Sequence, residues 1–156
     1  MSRAFIRESD GDDTPDLLPD RPVSPHPNWV TAVGLAMMEA EIRALAEAQS
    51  AAQAANDKQA LATAARDLRY WTARRATAEV IARPTQTATV AFGSEVTIER
   101  DDGRRQTYRI VGEDEADPRK GTLSYVSPLA RALLGKSVGD VVSAGKSEAD
   151  IVEIAC

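Results

Sequence analysis

Cysteine and histidine are almost absent from this sequence of 156 residues, which contains one of each. Cys156 is the last residue, and a single cysteine forms neither an internal disulfide nor a zinc site built on several thiolates. His26 lies between Pro25 and Pro27, in a segment that offers no fixed geometry for a catalytic base. These absences exclude Ser-His-Asp and Cys-His catalysis, and they exclude cysteine-based redox and zinc chemistry.

The sequence also lacks long apolar runs and an excess of basic residues. Charged residues interrupt the apolar stretches, and no basic segment followed by an apolar run opens the chain, so we expect neither a membrane span nor a secretory signal. Asp and Glu outnumber Lys and Arg by 24 to 19, which gives a net charge of -5. Non-specific binding of nucleic acid needs the opposite balance. We therefore expect a cytoplasmic monomer that meets nucleic acid only indirectly, through a protein partner.

An acidic, proline-rich segment opens the chain. Residues 1–28 hold six acidic residues and five prolines, and they lack the aliphatic side chains that would offset the entropy lost on ordering. We predict a disordered acidic tail over this range. Composition favours a solubilising role, with docking to a specific partner as the alternative.

Two helices are predicted over residues 29–83, because apolar residues recur there at spacings of three and four. The first stripe comprises Leu35, Met38, Ile42, Leu45, Gln49 and Ala52, and the second comprises Leu61, Ala64 or Ala65, Leu68 and Trp71. Thr31 suits the N-cap of the first helix, and Asn56-Asp57 supplies turn chemistry between the stripes. We predict an antiparallel coiled-coil hairpin. One long helix is the alternative, since the alanine-rich segment between the stripes does not force a reversal.

A second domain is predicted over residues 84–156, because Pro84 disfavours helical geometry in the residue before it. The apolar period then falls to two at Val96 and Ile98, and the turn sequence Asp101-Asp102-Gly103 leads to a partner strand over residues 106–111. Further strands are predicted through Leu123 and Tyr125, at Val141-Val142 and over residues 151–154, with a short helix from Ser127-Pro128 to Gly135. We predict a small antiparallel sheet with one packed helix, and hence an α+β chain.

Three motifs in this second domain suggest a family. FGS, IVGEDEAD and SPLARALLGKSVGD follow one another between Phe92 and Val142, and together they closely resemble the C-terminal domain of the GreA/GreB transcription elongation factors. The resemblance implies an FKBP-like domain that binds RNA polymerase beside its secondary channel, while an N-terminal coiled coil enters that channel. It also implies that four residues face the polymerase, namely Ser127, Pro128, Leu129 and Arg131. The alternative is that these residues only start a helix and fill the core.

The predicted hairpin departs from that family at its tip. Cleavage-stimulating members carry an Asp-x-x-Glu-Asn pattern there, whose two carboxylates help to hold Mg²⁺ in the polymerase active centre. Here the tip reads Asn56-Asp57-Lys58-Gln59-Ala60, so Asp57 remains but Ala60 replaces the expected Glu. Each arm of the hairpin is also about three turns shorter than in the cleavage-stimulating members, a difference of roughly 16 Å. We predict a factor that has no cofactor of its own, binds polymerase and stimulates transcript cleavage weakly or not at all.

Other functions stay open at this point. A true cleavage-stimulating factor would use Asp57 while the polymerase remained the catalyst, so the chain itself is not predicted to be an enzyme. A prolyl isomerase is suggested only by the FKBP-like fold, and the second domain is poor in the aromatic residues that such a pocket needs. A basic stripe that contacts RNA or polymerase is the alternative to an ordinary solvated face for Arg66, Arg69, Arg74 and Arg75. The acidic loop over residues 113–117 is predicted to be a surface loop rather than a cation site.

Overall fold

The computed structural model describes residues 17–156, and the first 16 residues of the predicted tail lie outside that range. Two helices form the N-terminal hairpin: α1 spans Ala32–Ala54 and α2 spans Lys58–Thr77. Thr31 caps α1 as predicted, because its side-chain oxygen accepts a hydrogen bond from the backbone N of Gly34 at 3.0 Å. Asn56 has a φ of 54°, a left-handed conformation that asparagine tolerates and that reverses the chain. The predicted hairpin is confirmed, and the single long helix is wrong.

The two predicted stripes form the seam between these helices. Met38, Ala52 and Ala64 are buried, and the remaining members of both stripes are partly covered. The buried residues nearest the tip are alanines, whose small side chains let the two backbones approach closely. The distal half of the hairpin is therefore a slender arm.

A five-stranded sheet forms the C-terminal domain. Its strands are β3 Glu95–Arg100, β4 Arg105–Val111, β5 Thr122–Ser124, β6 Val141–Ala144 and β7 Ser147–Ala155, in the spatial order β5-β4-β3-β7-β6. The central strand β3 is antiparallel to both of its neighbours, and its register with β7 shifts between Thr97 and Ile98. Helix α3, Pro128–Leu133, starts at the predicted cap Ser127. The α+β architecture predicted from the sequence is confirmed.

One strand pairing corrects the prediction of an antiparallel sheet. Strand β5 runs parallel to β4, with Arg109 opposite Thr122 and Val111 opposite Ser124. Parallel neighbours need a crossover rather than a tight hairpin. Residues 112–121 supply it, since they contain the acidic loop and a single 3-10 turn over Pro118–Lys120.

The core lies between the sheet and α3. Val96, Ile98, Ile110 and Leu133 are fully buried within it, which agrees with the predicted alternation along β3. Trp29 joins the hairpin to this core, because its ring lies 4.9 Å from Tyr125 and 6.2 Å from Phe92 between centroids. The two-residue strands β1, Trp29–Val30, and β2, Glu79–Val80, pair in parallel at the base of the hairpin.

Residues 17–28 differ from the disorder predicted for residues 1–28. They lie along α2 and reach the C-terminal domain, where Asn28 is only 7% exposed. Composition indicated disorder because aliphatic residues are few, but this segment is held by hydrogen bonds and ion pairs instead. Within the part of the chain that the structure describes, none of the helices is long and apolar enough to cross a membrane.

Candidate functional site

The tip of the hairpin carries one acidic side chain. Asp57 is the N-cap of α2, and its Oδ1 accepts a hydrogen bond from the backbone N of Ala60 at 3.1 Å. Asp67 lies ten residues along α2 from Asp57, or about 15 Å, and Glu47 lies on α1, seven residues before that helix ends at Ala54. The exposed Asp57 carboxylate thus already takes part in capping, and the tip sequence from Asn56 to Ala60 supplies no second carboxylate.

The hairpin tip and the acidic loop are the two places where acidic side chains could bind a metal ion. Across residues 17–156, no group of three or more His, Cys, Asp and Glu side chains is placed to hold a metal ion. The carboxylates of the acidic loop bind protein groups instead. They form the joint between the hairpin and the sheet.

Glu115 of this loop holds the start of α1. Its Oε2 accepts a hydrogen bond from the backbone N of Thr31 at 2.9 Å, and its Oε1 accepts one from the Thr31 hydroxyl. A carboxylate is favourable at a helix N-terminus because the helix dipole is positive there. Gly34 leaves room for this contact, since a Cβ on it would lie 2.0 Å from Glu115 Oε2 and the Glu115 side chain would have to move.

Asp114 holds the end of α2 through a buried ion pair. Its Oδ2 lies 2.6 Å from Nε of Arg74, and the two side chains are 8% and 2% exposed. Its Oδ1 accepts a hydrogen bond from the Tyr70 hydroxyl, while Glu113 lies 3.7 Å from Nη2 of the same arginine. Glu113, Asp114 and Glu115 therefore fasten both helices to the sheet, and we call these three residues the acidic clasp.

The clasp changes the acidity of Tyr70. Partial burial, and then the hydrogen bond to Asp114, raises the pKa of this phenol from 10.0 to about 12. Folding therefore favours the protonated phenol, and this contribution to stability is complete below pH 10 and is lost as the pH rises towards 12.

We expect the free energy of unfolding of the wild-type protein to fall more steeply between pH 10 and 12 than that of Tyr70→Phe, which has no phenol to ionise. Urea denaturation of both proteins across this range measures the difference, because all other titrating groups are shared. Parallel curves for the two proteins would contradict the assignment.

The four arginines for which a basic stripe was the alternative each have an acidic partner. Arg74 is buried in the clasp and does not belong to an exposed stripe, so the alternative of an RNA or polymerase contact is wrong for that residue. The other pairs are Arg66 with Asp67 at 3.0 Å, Arg69 with Asp20 at 2.6 Å and Arg75 with Glu39 at 3.0 Å. This pattern is typical of a solvated face whose charges are compensated.

The residues predicted to face a polymerase lie at the start of α3. Ser127 caps the helix, and its side chain accepts a hydrogen bond from the backbone N of Ala130 at 3.3 Å. Leu129 is partly buried against the core, whereas Pro128 and Arg131 are exposed. Because Pro128 and Arg131 are three positions apart, they are neighbours on the helix surface. The structure brings these four residues together on the C-terminal domain, and Asp57 lies apart from them at the tip of the hairpin.

Known proteins resemble this chain in both parts. The solved structure of GreA factor homolog 1 from Thermus thermophilus is 22% identical, with 84% of this chain and 100% of that chain covered and a TM-score of 0.42. The family model "Transcription elongation factor, GreA/GreB, C-term" matches residues 85–155. GreB of Pasteurella multocida is 33% identical in an alignment of 134 residues that covers 74% of this chain and 85% of that protein. GreA of Desulfovibrio desulfuricans is 38% identical over 122 residues, which cover 77% of this chain and 72% of that protein. The chain belongs to the GreA/GreB family.

Family membership confirms the resemblance drawn from the motifs between Phe92 and Val142. This GreA/GreB protein is a transcription elongation factor and not an enzyme. The aromatic residues that an isomerase pocket would need have another role here, since Phe92 and Tyr125 are both 8% exposed and pack against Trp29.

The acidic clasp of this GreA/GreB chain was not predicted from the sequence, although one signal pointed to it. Arg74 follows Trp71 by three residues and so continues the apolar stripe of α2 onto a buried position. A buried arginine needs an acidic partner, and the loop Glu113-Asp114-Glu115 was the densest acidic cluster outside the tail. The contacts of residues 17–28 had no comparable signal.

Proposed function

We propose that this factor binds RNA polymerase through its C-terminal domain, inserts its hairpin into the secondary channel and stimulates transcript cleavage weakly or not at all. The main observation behind weak cleavage is that the hairpin tip has a single carboxylate, that of Asp57. Membership in the GreA/GreB family supports the choice of partner.

The tip chemistry argues against efficient cleavage. A second Mg²⁺ in a polymerase active centre needs several hard oxygen ligands, and a helper that supplies them works best with two carboxylates. Only Asp57 is available, and its Oδ1 accepts the hydrogen bond from Ala60 that caps α2. If Asp57 turned towards a metal, the first turn of α2 would lose that cap, which costs about 1 kcal/mol.

The length of the arm argues in the same direction. Helix α1 has 23 residues and is therefore about 35 Å long. The arms expected for a cleavage-stimulating member are about three turns longer and would reach roughly 16 Å further. A tip that stops this far short occupies the channel without bringing Asp57 to the catalytic metal.

The exposed surface at the start of α3 supports docking by the C-terminal domain. Pro128 offers a rigid apolar contact, and Arg131 offers a charge for which the structure shows no ion pair within residues 17–156. We propose that this surface, completed by Ser127 and Leu129, contacts the polymerase.

A backtracked elongation complex with Mg²⁺ tests the proposal directly. Polymerase binding and cleavage of the RNA 3′ end are followed in the same sample, with a GreA that has both tip carboxylates as the positive control. We expect this factor to bind while the cleavage rate stays within about twofold of that of polymerase alone.

Two substitutions at Asp57 separate its two roles. Asp57→Asn keeps an N-cap but removes the charge, whereas Asp57→Ala removes both and should destabilise the protein by about 1 kcal/mol. Neither is expected to change cleavage. Robust cleavage by the wild-type protein that Asp57→Asn abolishes would overturn the proposal and establish a true cleavage-stimulating factor.

A further inference from the structure

We propose that residues 17–28 form a strap that fixes the direction of the hairpin on the C-terminal domain. This inference concerns the joint between the two parts of the molecule. It does not depend on what the hairpin does once the factor is bound to polymerase.

The first half of the strap is attached to the outer side of α2. Nε of Arg69 lies 2.6 Å from Oδ1 of Asp20, and Nη2 of Arg69 donates a hydrogen bond to the backbone O of Leu18 at 3.0 Å. The guanidinium of Arg21 lies 3.9 Å from the centre of the Tyr70 ring and 3.5 Å from Asp67. These contacts span about one turn of the helix.

The second half of the strap is attached to the C-terminal domain. The Ser24 hydroxyl donates a hydrogen bond to Oε1 of Glu113 at 2.9 Å, and the Tyr125 hydroxyl donates one to the backbone O of Pro27. The strap then returns to α2, because Nδ2 of Asn28 donates to the backbone O of Arg74 at 2.7 Å. A segment of 12 residues thus bridges both parts of the molecule.

The strap and the acidic clasp hold the same joint. Glu113 takes part in both, since it accepts from Ser24 and lies beside Arg74, and Tyr70 is bound by Arg21 of the strap and by Asp114 of the clasp. The contacts of the clasp lie at the base of the hairpin. The strap adds attachments further along α2 at Asp67 and Arg69, which resist rotation about that base.

Small rotations at this joint matter because the hairpin is a lever. An arm about 35 Å long moves its tip by about 6 Å for each 10° of rotation at the base. Restricting the direction of the arm therefore restricts the position of the tip.

The contacts of the strap favour a role in orientation over one in stability. Leu17 and Val23 are 78% and 52% exposed, so the strap buries little apolar surface through them. Its ion pair between Asp20 and Arg69 is also largely exposed, with side chains at 75% and 41%, and pairs of this kind contribute little to stability. Loss of these contacts should free the hairpin while leaving both parts folded.

Distances between two spin labels test the proposal in the full chain. The labels are attached through Gln59→Cys at the tip and Glu148→Cys on β7, in a Cys156→Ser background. The strap variant Asp20→Asn/Arg21→Gln/Ser24→Ala removes the two charges that pair with the hairpin and the hydroxyl that binds Glu113. We expect its distance distribution to be at least about twice as wide as that of the parent, because more orientations become populated.

Matched substitutions in the same segment provide the control. Leu17→Ala/Val23→Ala/His26→Ala changes three strap residues with exposed side chains, and we expect the parent distribution for it. A strap variant that keeps the parent distribution would overturn the proposal.

A second variant covers the case in which the strap variant loses helical circular dichroism or melts at a lower temperature. Tyr125→Phe removes only the hydroxyl that binds Pro27 and leaves the ring in the core. It should widen the distribution by a smaller factor without loss of secondary structure, and an unchanged distribution in a folded Tyr125→Phe protein would then overturn the proposal.

Discussion

Replacing Arg74 with alanine is expected to lower the free energy of unfolding by about 3–5 kcal/mol, because it leaves buried acidic groups without their cation. Arg74 is 2% exposed and Asp114 8% exposed, with Nε and Oδ2 2.6 Å apart. The substitution also removes the charge that faces Glu113. Equilibrium denaturation in urea, followed by circular dichroism, measures the loss.

The neighbouring arginine provides a matched control for this prediction. Arg75 pairs with Glu39 at 3.0 Å, but the two side chains are 45% and 41% exposed, and such a surface pair contributes about 0–1 kcal/mol. Arg75→Ala should therefore have a small effect. If both alanine variants lost the same stability, the buried pair would not be what holds the joint.

A double substitution distinguishes the lost pair from the lost side-chain volume. Arg74→Met keeps much of the apolar stem, and Asp114→Asn removes the charge that would be stranded. Residues in direct contact show coupling of about 0.5–3 kcal/mol in such cycles. We expect the double variant to be more stable than the sum of the two single effects predicts.

The hairpin and the sheet were predictable because their signals are local. A period of three to four runs through Leu35, Met38 and Ile42, a period of two runs through Val96 and Ile98, and cap residues mark the helix starts at Thr31 and Ser127. Each pattern follows from the geometry of one element. These elements are present in the structure at the predicted places.

The parallel pairing of β5 and the joint between the two parts were harder to predict, because both depend on contacts between distant residues. Whether β5 runs parallel or antiparallel to β4 depends on the path of residues 112–121, and no local pattern specifies that path. Asp114 and Arg74 are 40 positions apart in the sequence. Charged residues are usually solvated, so composition alone placed the acidic loop at the surface.

The ordered segment over residues 17–28 was not predictable from its composition. Low aliphatic content indicates disorder when burial of apolar surface is the means of ordering. Residues 17–28 are held instead by polar contacts to groups that are already fixed, such as Arg69 on α2 and Glu113 in the clasp. A segment next to a folded domain can thus be ordered by that domain without a core of its own.

A competition between this protein and an active GreA tests the proposed roles of the hairpin tip and of the docking surface. A factor that occupies the channel without supplying a second carboxylate should suppress the cleavage stimulated by a GreA that has both. At equal affinities and a tenfold excess of this protein, mass action leaves the active factor on about a tenth of the complexes. We expect the cleavage rate to fall by about tenfold accordingly.

Two charge-reversal variants test whether the suppression of cleavage depends on docking through the start of α3. Arg131→Glu alters the proposed polymerase-facing surface of α3 and should relieve the suppression, because it weakens binding by the C-terminal domain. Lys146→Glu makes the same change of charge at the exposed turn between β6 and β7, and should leave the suppression intact. Suppression that survives Arg131→Glu would place the docking surface elsewhere, whereas a wild-type protein that binds without suppressing cleavage would show that its hairpin does not occupy the channel.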